Sequence, residues 1–210
     1  MRKPNPLKII SALTPYLAVA FGLYVISNGW VTFLLYHTGL FAFILISGRM
    51  HVFNDTFKGW HWSTGVTAVF ICSLTGLLLL WIWPYSSKEP GELSSQLAAV
   101  NLTGTGWLIF AIIFIAVNPI MEEVFWRSFL DENAEGKLPY LADAVFAGYH
   151  VPVLALFIKP QWLVLAFIII FLAGCVWRYL TRRFSGNAIA LASHIAADIS
   201  IVAAVQLLAQ

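Results

Sequence analysis

The sequence predicts an all-α fold: a polytopic transmembrane helix bundle of about seven spans with its N-terminus inside. Of the 210 residues, 60% are hydrophobic and only 10% are charged, and the mean hydropathy is +0.82. Soluble domains average about 25% charged residues. Apolar runs of the length needed to cross a bilayer recur along the chain. We therefore expect a multi-pass protein surrounded by the lipid bilayer, located in the cell (inner) membrane.

The N-terminal region, 1–104, contains three predicted transmembrane helices and a polar connecting loop. The apolar stretch 9–46 is too long for one span and breaks at Ser27, Asn28 and Gly29. The basic N-terminus resembles a signal peptide, but no small-residue cleavage site follows, so we expect the first helix to be retained. The polar connection covers 85–104. The three predicted helices are 9–26, 30–47 and 64–84.

The C-terminal region, 105–210, contains four more predicted helices. A short charged turn at 131–137 follows the first of them, and Ser185, Gly186 and Asn187 form the entry to the last. The four predicted helices are 105–130, 138–157, 161–180 and 187–208.

The distribution of basic residues supports the count of seven. Cytoplasmic loops of membrane proteins carry an excess of Lys and Arg. With the N-terminus inside, only Lys88 and Lys159 of the twelve basic residues fall outside. Merging the first two helices would separate the N-terminal basic residues from the others. The ten inner residues are Arg2, Lys3, Lys8, Arg49, Lys58, Arg127, Lys137, Arg178, Arg182 and Arg183.

The fourth predicted helix carries the densest charge inside a span. Glu122, Glu123 and Arg127 follow the apolar run 107–120. Each ionised residue in a span costs at least ~2.5–3.5 kcal/mol, so such a cluster is a functional-site hypothesis. Glu123 and Arg127 are four residues apart and are predicted to form a structural ion pair. Glu122 is turned by ~100° from Glu123 and needs partners from other helices.

Two histidines inside other spans are the natural partners of Glu122. His150 lies in the fifth helix and His194 in the seventh. At 1.5 Å per residue, Glu122, His150 and His194 lie roughly 8, 18 and 10 Å from the inner surface. They can therefore meet in the inner half of the membrane. His37, in the second helix, is interpreted as a satisfied or interfacial histidine, and Asp143 as solvated or structural.

A carboxylate with two histidines is compatible with two chemistries. One is a metal site, in which Glu122, His150 and His194 are ordinary zinc ligands. The other is metal-free hydrolysis, in which a carboxylate acts as the general base for water and nearby donors stabilise an oxyanion. A proton relay in a transporter uses similar residues, and either histidine could instead be a hydrogen-bond partner in helix packing.

Three short motifs together resemble a known family. They are Glu122-Glu123-x-x-x-Arg127, Phe146-x-x-x-His150 and His194-x-x-x-Asp198. Their order and their placement on predicted spans are similar to the CAAX-protease and bacteriocin-processing (ABI-like) family, which includes the type II CAAX prenyl endopeptidase. The resemblance covers roughly 105–208, so this region would be a four-helix catalytic core of the CAAX-protease type.

The resemblance implies intramembrane hydrolysis of a peptide bond. Glu122 would activate water, His150 would position it, and His194 and Asp198 would line the oxyanion side. The family often has Asn where Asp198 stands. Because an ionised Asp cannot donate a hydrogen bond, Asp198 would be protonated or would orient His194. Trp126 and Phe146 are candidate substrate-binding residues.

The expected partner is a peptide or protein substrate at the membrane, such as a C-terminal or leader peptide. No nucleic-acid partner is expected, because no basic stripe with interleaved aromatic residues is present. We expect no cofactor, with zinc as the alternative. Two other functions remain open: a non-catalytic scaffold or bacteriocin-immunity protein of the same fold, and a proton-coupled transporter. Transporters often contain inverted repeats, and no convincing internal repeat is found.

Overall fold

The computed structural model describes residues 6–130 and 141–210, and these residues are helical apart from turns and one antiparallel bridge between Ser87 and Ile158. Arg2, Lys3, the predicted turn at 131–137 and the first residues of the predicted fifth helix, 138–140, lie outside the described residues. The α-helices are α1 (Pro6–Val19), α2 (Gly29–Ile46), α3 (Trp62–Ser73), α4 (Thr75–Ser86), α5 (Leu93–Ala98), α6 (Gly104–Glu122), α7 (Leu141–Leu154), α8 (Pro160–Phe184) and α9 (Ala188–Leu208).

Six helical segments in this part of the chain are long and apolar enough to cross a membrane. The predicted fifth span corresponds to the shorter apolar helix α7, whose 14 residues extend about 21 Å. The prediction of a polytopic all-α bundle is confirmed. The six segments are Leu7–Val25, Gly29–Ile46, Trp62–Ser86, Gly104–Phe129, Pro160–Phe184 and Ala188–Leu208.

The span that carries the two glutamates changes its helical geometry at the charged cluster. The α-helix continues through Pro119 to Glu122, and a π-helical turn covers Glu123–Phe129. In a π-helix each N–H bonds to the carbonyl five residues back. The Leu130 N–H accordingly donates to the Phe125 carbonyl oxygen at 2.9 Å. Residues four apart in this turn are therefore not aligned as they are in an α-helix.

Helix α9 lies at the centre of the packing. It contacts α3, α4, α6 and α8, while α7 packs between α1 and α8. The approach of α4 to α9 is close enough that the backbone N–H of Gly76 donates to the Ser200 hydroxyl. Because α9 is central, its polar residues His194 and Asp198 are buried inside the bundle.

Asp143 and Arg178 form a buried ion pair between α7 and α8. Both residues have no exposed surface, and the carboxylate accepts from Arg178 Nε at 2.9 Å and from Nη2 at 2.9 Å. Nη2 also donates to the Trp126 carbonyl oxygen at 3.0 Å. Asp143 is thus structural. Arg178 and Arg127, two of the ten basic residues predicted on the inner side, are buried inside the bundle, where carboxylates on neighbouring turns or helices compensate them.

Candidate active site

Glu122 is held through one of its two carboxylate oxygens. Its Oε1 accepts hydrogen bonds from the hydroxyl of Tyr36, at 2.8 Å, and from the hydroxyl of Tyr149. These tyrosines belong to α2 and α7. Trp126, one turn after Glu122, donates from Nε1 to the Tyr36 oxygen at 3.3 Å. Side chains from α2, α7 and the π-helical turn therefore fix the orientation of the fully buried Glu122 carboxylate.

The other oxygen of Glu122 is buried without a hydrogen bond. Oε2 has no hydrogen-bond partner within residues 6–130 and 141–210, and it lies 3.5 Å from Nε2 of His194. Buried carboxylate oxygens are normally hydrogen-bonded, because an unmatched one loses its hydration without compensation. A water molecule or a substrate group can supply the missing hydrogen bond at this point.

His194 connects the two adjacent glutamates. Its Nδ1 lies 2.9 Å from Oε1 of Glu123, and its ring stacks on Trp177 with centroids 4.3 Å apart. A carboxylate can only accept, so Nδ1 carries the proton of this hydrogen bond. The Nε2 atom then faces Oε2 of Glu122 and lies 3.7 Å from Oδ1 of Asp198.

Asp198 is anchored by Asn118, one turn before Glu122 on α6. The Asn118 amide donates from Nδ2 to Oδ2 of Asp198 at 3.3 Å, and both side chains are buried. The other oxygen of Asp198 faces His194. The Asp198 carboxylate is consequently an acceptor positioned to orient the imidazole.

His150 lies on α7 next to Tyr149, which donates to Glu122. Its Nδ1 donates to the Phe146 carbonyl oxygen at 2.9 Å, and its ring packs on Tyr149 with centroids 4.1 Å apart. Glu122, His194 and Asp198 are in direct contact, and His150 adjoins them through Tyr149, as the depth estimate allows.

The predicted ion pair of Glu123 and Arg127 is present at a distance too long for a hydrogen bond. Arg127 Nε lies 3.5 Å from Oε2 of Glu123, and both side chains are fully buried. The guanidinium lies over the rings of Phe146, at 4.2 Å, and Trp177, at 5.3 Å. The π-helical turn explains the long distance. It leaves Glu123 shared between Arg127 and His194, a contact that sequence reasoning missed.

Trp126 and Phe146 both pack against Tyr149, which donates to Glu122. Trp126 is fully buried and its ring lies parallel to that of Tyr149, with centroids 6.1 Å apart. Phe146 is 1% exposed and lies between the Arg127 guanidinium and the Trp126 ring. A peptide would reach these rings only after they are uncovered. Their binding of substrate stays a prediction.

The possible zinc ligands named from the sequence are Glu122, His150 and His194. In the described part of the chain, no three or more His, Cys, Asp or Glu side chains are grouped so that they could hold a metal ion. Two tyrosine hydroxyls bind Oε1 of Glu122. Both the metal-free mechanism and its zinc alternative stay predictions.

Sequence reasoning missed Tyr36 and Tyr149. His37, interpreted as a satisfied or interfacial histidine, is buried: it is 7% exposed and donates from Nδ1 to the Phe33 carbonyl oxygen at 2.8 Å. One signal was available. Residues 33–37 and 146–150 both read Phe-x-x-Tyr-His.

Comparison with known proteins supports the assignment of the C-terminal region. A family model described as Type II CAAX prenyl endopeptidase Rce1-like matches residues 104–200. The match includes Glu122, His150, His194 and Asp198, and it confirms the family resemblance over this region. Tyr36 and His37 lie outside it. No curated protein and no solved structure matches the chain.

Proposed function

We propose that this protein, whose residues 104–200 are Rce1-like, is an intramembrane endopeptidase in which Glu122 activates water to hydrolyse a peptide bond. The observation that carries the proposal is the asymmetry of the Glu122 carboxylate. Two tyrosine hydroxyls donate to Oε1, and Oε2 has no hydrogen bond within the described residues and lies 3.5 Å from Nε2 of His194. A carboxylate fixed in this way offers a lone pair to water in a defined direction.

The reaction requires one base and one route for the proton. Water bound at Oε2 transfers a proton to Glu122 while its oxygen attacks the carbonyl carbon. The carbonyl electron pair moves onto oxygen and forms a tetrahedral oxyanion. Glu122 then gives the proton to the amide nitrogen, the oxyanion re-forms the carbonyl, and the C–N bond breaks. A carboxylic acid and an amine are released, and the acid then loses its remaining proton to solvent.

His150 is assigned to the positioning of the water. Because its Nδ1 hydrogen is donated to the Phe146 carbonyl, the neutral ring has a lone pair on Nε2. That lone pair accepts the second hydrogen of the water. The water is then held by two acceptors and presents its oxygen lone pair to the substrate.

His194 is assigned to the oxyanion. With both nitrogens protonated, the ring donates from Nδ1 to Glu123 and from Nε2 towards the substrate oxygen. Asp198 orients this ring through its carboxylate and is itself anchored by Asn118. This role for Asp198 needs no hydrogen-bond donation from an ionised carboxylate.

The proposed substrate is a peptide held at the membrane, and a prenylated CAAX peptide is the first to test because of the family's description. We place the protein in the cell membrane, with the basic helix ends on the cytoplasmic side. We also propose that the reaction needs no metal. Cleavage should persist in a chelator, and a loss of cleavage restored by zinc would contradict this part.

The test uses the full-length protein in liposomes with a quenched fluorescent farnesyl peptide, in water enriched in ¹⁸O. Wild type should release a product with one ¹⁸O atom in its new carboxyl group. Glu122→Gln should lower turnover by about 10²–10⁴-fold, the usual contribution of a general base. The matched control is Glu89→Gln, at an exposed glutamate away from the site.

Two outcomes would contradict the proposal. Full turnover in Glu122→Gln would exclude the glutamate mechanism. Solute or proton flux across the liposome membrane without peptide cleavage would favour the transporter.

A further inference from the structure

A five-residue pattern occurs on both α2 and α7, and both copies meet at Glu122. Residues 33–37 read Phe-Leu-Leu-Tyr-His, and residues 146–150 read Phe-Ala-Gly-Tyr-His. The second copy contains His150 and lies in the region that matches the family. The first copy lies outside that region, in the N-terminal part of the chain.

The two tyrosines make the same contact. Tyr36 and Tyr149 both donate to Oε1 of Glu122, and their hydroxyl oxygens are 3.2 Å apart. Their ring centroids are separated by 5.3 Å. The carboxylate thus receives one equivalent hydrogen bond from each copy of the pattern.

The two histidines also make the same contact. Nδ1 of His37 donates to the Phe33 carbonyl oxygen at 2.8 Å, as Nδ1 of His150 donates to Phe146 at 2.9 Å. A carbonyl oxygen only accepts, so in both neutral rings Nε2 has the lone pair. Each histidine thus makes the same hydrogen bond to the carbonyl four residues before it.

The Nε2 atom of His37 is buried and makes no hydrogen bond of normal geometry among the described residues. The Asn118 side chain is the polar group that interacts with this ring. An acceptor buried without a donor costs free energy. At a position next to Glu122 and Asn118, a bound substrate can supply that donor.

We propose that α2 contributes a second Tyr–His pair to the active site and that His37 Nε2 accepts a hydrogen bond from a backbone N–H of the substrate peptide. The inference rests on the proposed peptidase function. A peptide offers N–H donors and C=O acceptors, and a lone pair can bind only the former. In this arrangement His150 on α7 accepts a hydrogen bond from the water, and His37 on α2 accepts one from the peptide.

Two substitutions separate this role from a structural one. His37→Leu removes the acceptor and should lower kcat/KM about tenfold, because the peptide N–H is left unmatched. The melting temperature should stay unchanged or rise, since a buried nitrogen without a partner is removed. His37→Gln keeps an acceptor near the place of Nε2 and should stay within about threefold of wild type. His61→Leu, at an exposed histidine, is the matched control.

Wild-type kcat/KM in His37→Leu would overturn the inference. So would a fall in melting temperature with normal turnover per folded molecule. A measurement on folded Glu122→Gln protein provides a second test that does not need the leucine variant. With ¹⁵N-labelled histidine, the farnesyl peptide should shift the Nε2 resonance that His37→Gln removes. Absence of that shift would also overturn the inference.

Glu122→Gln is assayed in parallel so that the two proposals can fail separately. If Glu122→Gln is active, both the proposed function and this inference are excluded. If it is inactive while His37→Leu is fully active, only the role of His37 is excluded.

Discussion

The Nδ1 atom of His194 lies 2.9 Å from the Oε1 atom of Glu123. The other nitrogen of the same ring lies 3.5 Å from Oε2 of Glu122. Two glutamates that are adjacent in the sequence are therefore coupled through one imidazole from α9. This coupling makes Glu123 more than the partner of Arg127, because it also fixes the direction of the His194 ring.

Removing Arg127 should destabilise the protein more than it slows turnover per folded molecule. Arg127→Ala leaves the buried Glu123 carboxylate without its guanidinium, and breaking a buried pair costs about 3–5 kcal/mol. Thermal unfolding in detergent measures this loss. Glu123→Gln should lower both stability and turnover, because it also releases His194. Normal stability of Arg127→Ala would contradict the structural role of the pair.

The hydroxyl of Tyr149 should contribute to turnover and little to stability. Tyr149→Phe keeps the ring stacked near Trp126 but removes one hydrogen bond to Oε1 of Glu122. We expect kcat to fall about tenfold, as the carboxylate can rotate away from the water. Tyr85→Phe, at an exposed tyrosine, is the control. Unchanged kcat would mean that Tyr36 alone is sufficient.

Asparagine should replace Asp198 at little cost, whereas alanine should not. Asp198→Asn keeps an oxygen for the Asn118 amide and the shape beside His194, so turnover should stay within about threefold. Asp198→Ala leaves the Asn118 amide and His194 without this partner, and turnover should fall about tenfold or more. Steady-state cleavage assays measure both. A large loss in Asp198→Asn would indicate that the negative charge itself is needed.

The Asp143–Arg178 pair should affect folding and not chemistry. Asp143→Ala removes one carboxylate from a buried guanidinium, and breaking a buried pair costs about 3–5 kcal/mol. The double variant Asp143→Asn/Arg178→Gln, which removes both charges, should recover part of that loss. Unfolding midpoints test the stability, and turnover per folded molecule should be unchanged. A selective loss of turnover would assign the pair to the site.

The close approach of α4 and α9 should make Gly76 intolerant of a side chain. A Cβ atom at this position would overlap the backbone carbonyl of Ser200, which cannot move away as a flexible side chain can. Gly76→Ala should destabilise by roughly 1–3 kcal/mol through overpacking. Gly106→Ala is the matched control, because a Cβ there meets open space. Equal unfolding midpoints for the two variants would contradict this packing.

The elements and the central residues of the site could be predicted from the sequence. Hydropathy is a property of each residue and its neighbours, so the apolar runs determine where helices cross the membrane. Ionised side chains are costly in those runs, which is why Glu122, His150 and His194 could be identified one helix at a time. The three motifs then placed them in one family, and the family match over 104–200 agrees.

The partners of these residues were decided only by the tertiary structure. Contacts between helices depend on the rotation of each helix about its axis and on its height relative to its neighbours, and hydropathy specifies neither. Tyr36 reaches Glu122 because α2 presents that face to α6. Arg178, which reads as a surface charge, is buried because Asp143 on α7 lies opposite it. The sequence alone thus determined which polar and charged side chains need a partner inside the membrane. The packing of the helices decided which residues are those partners.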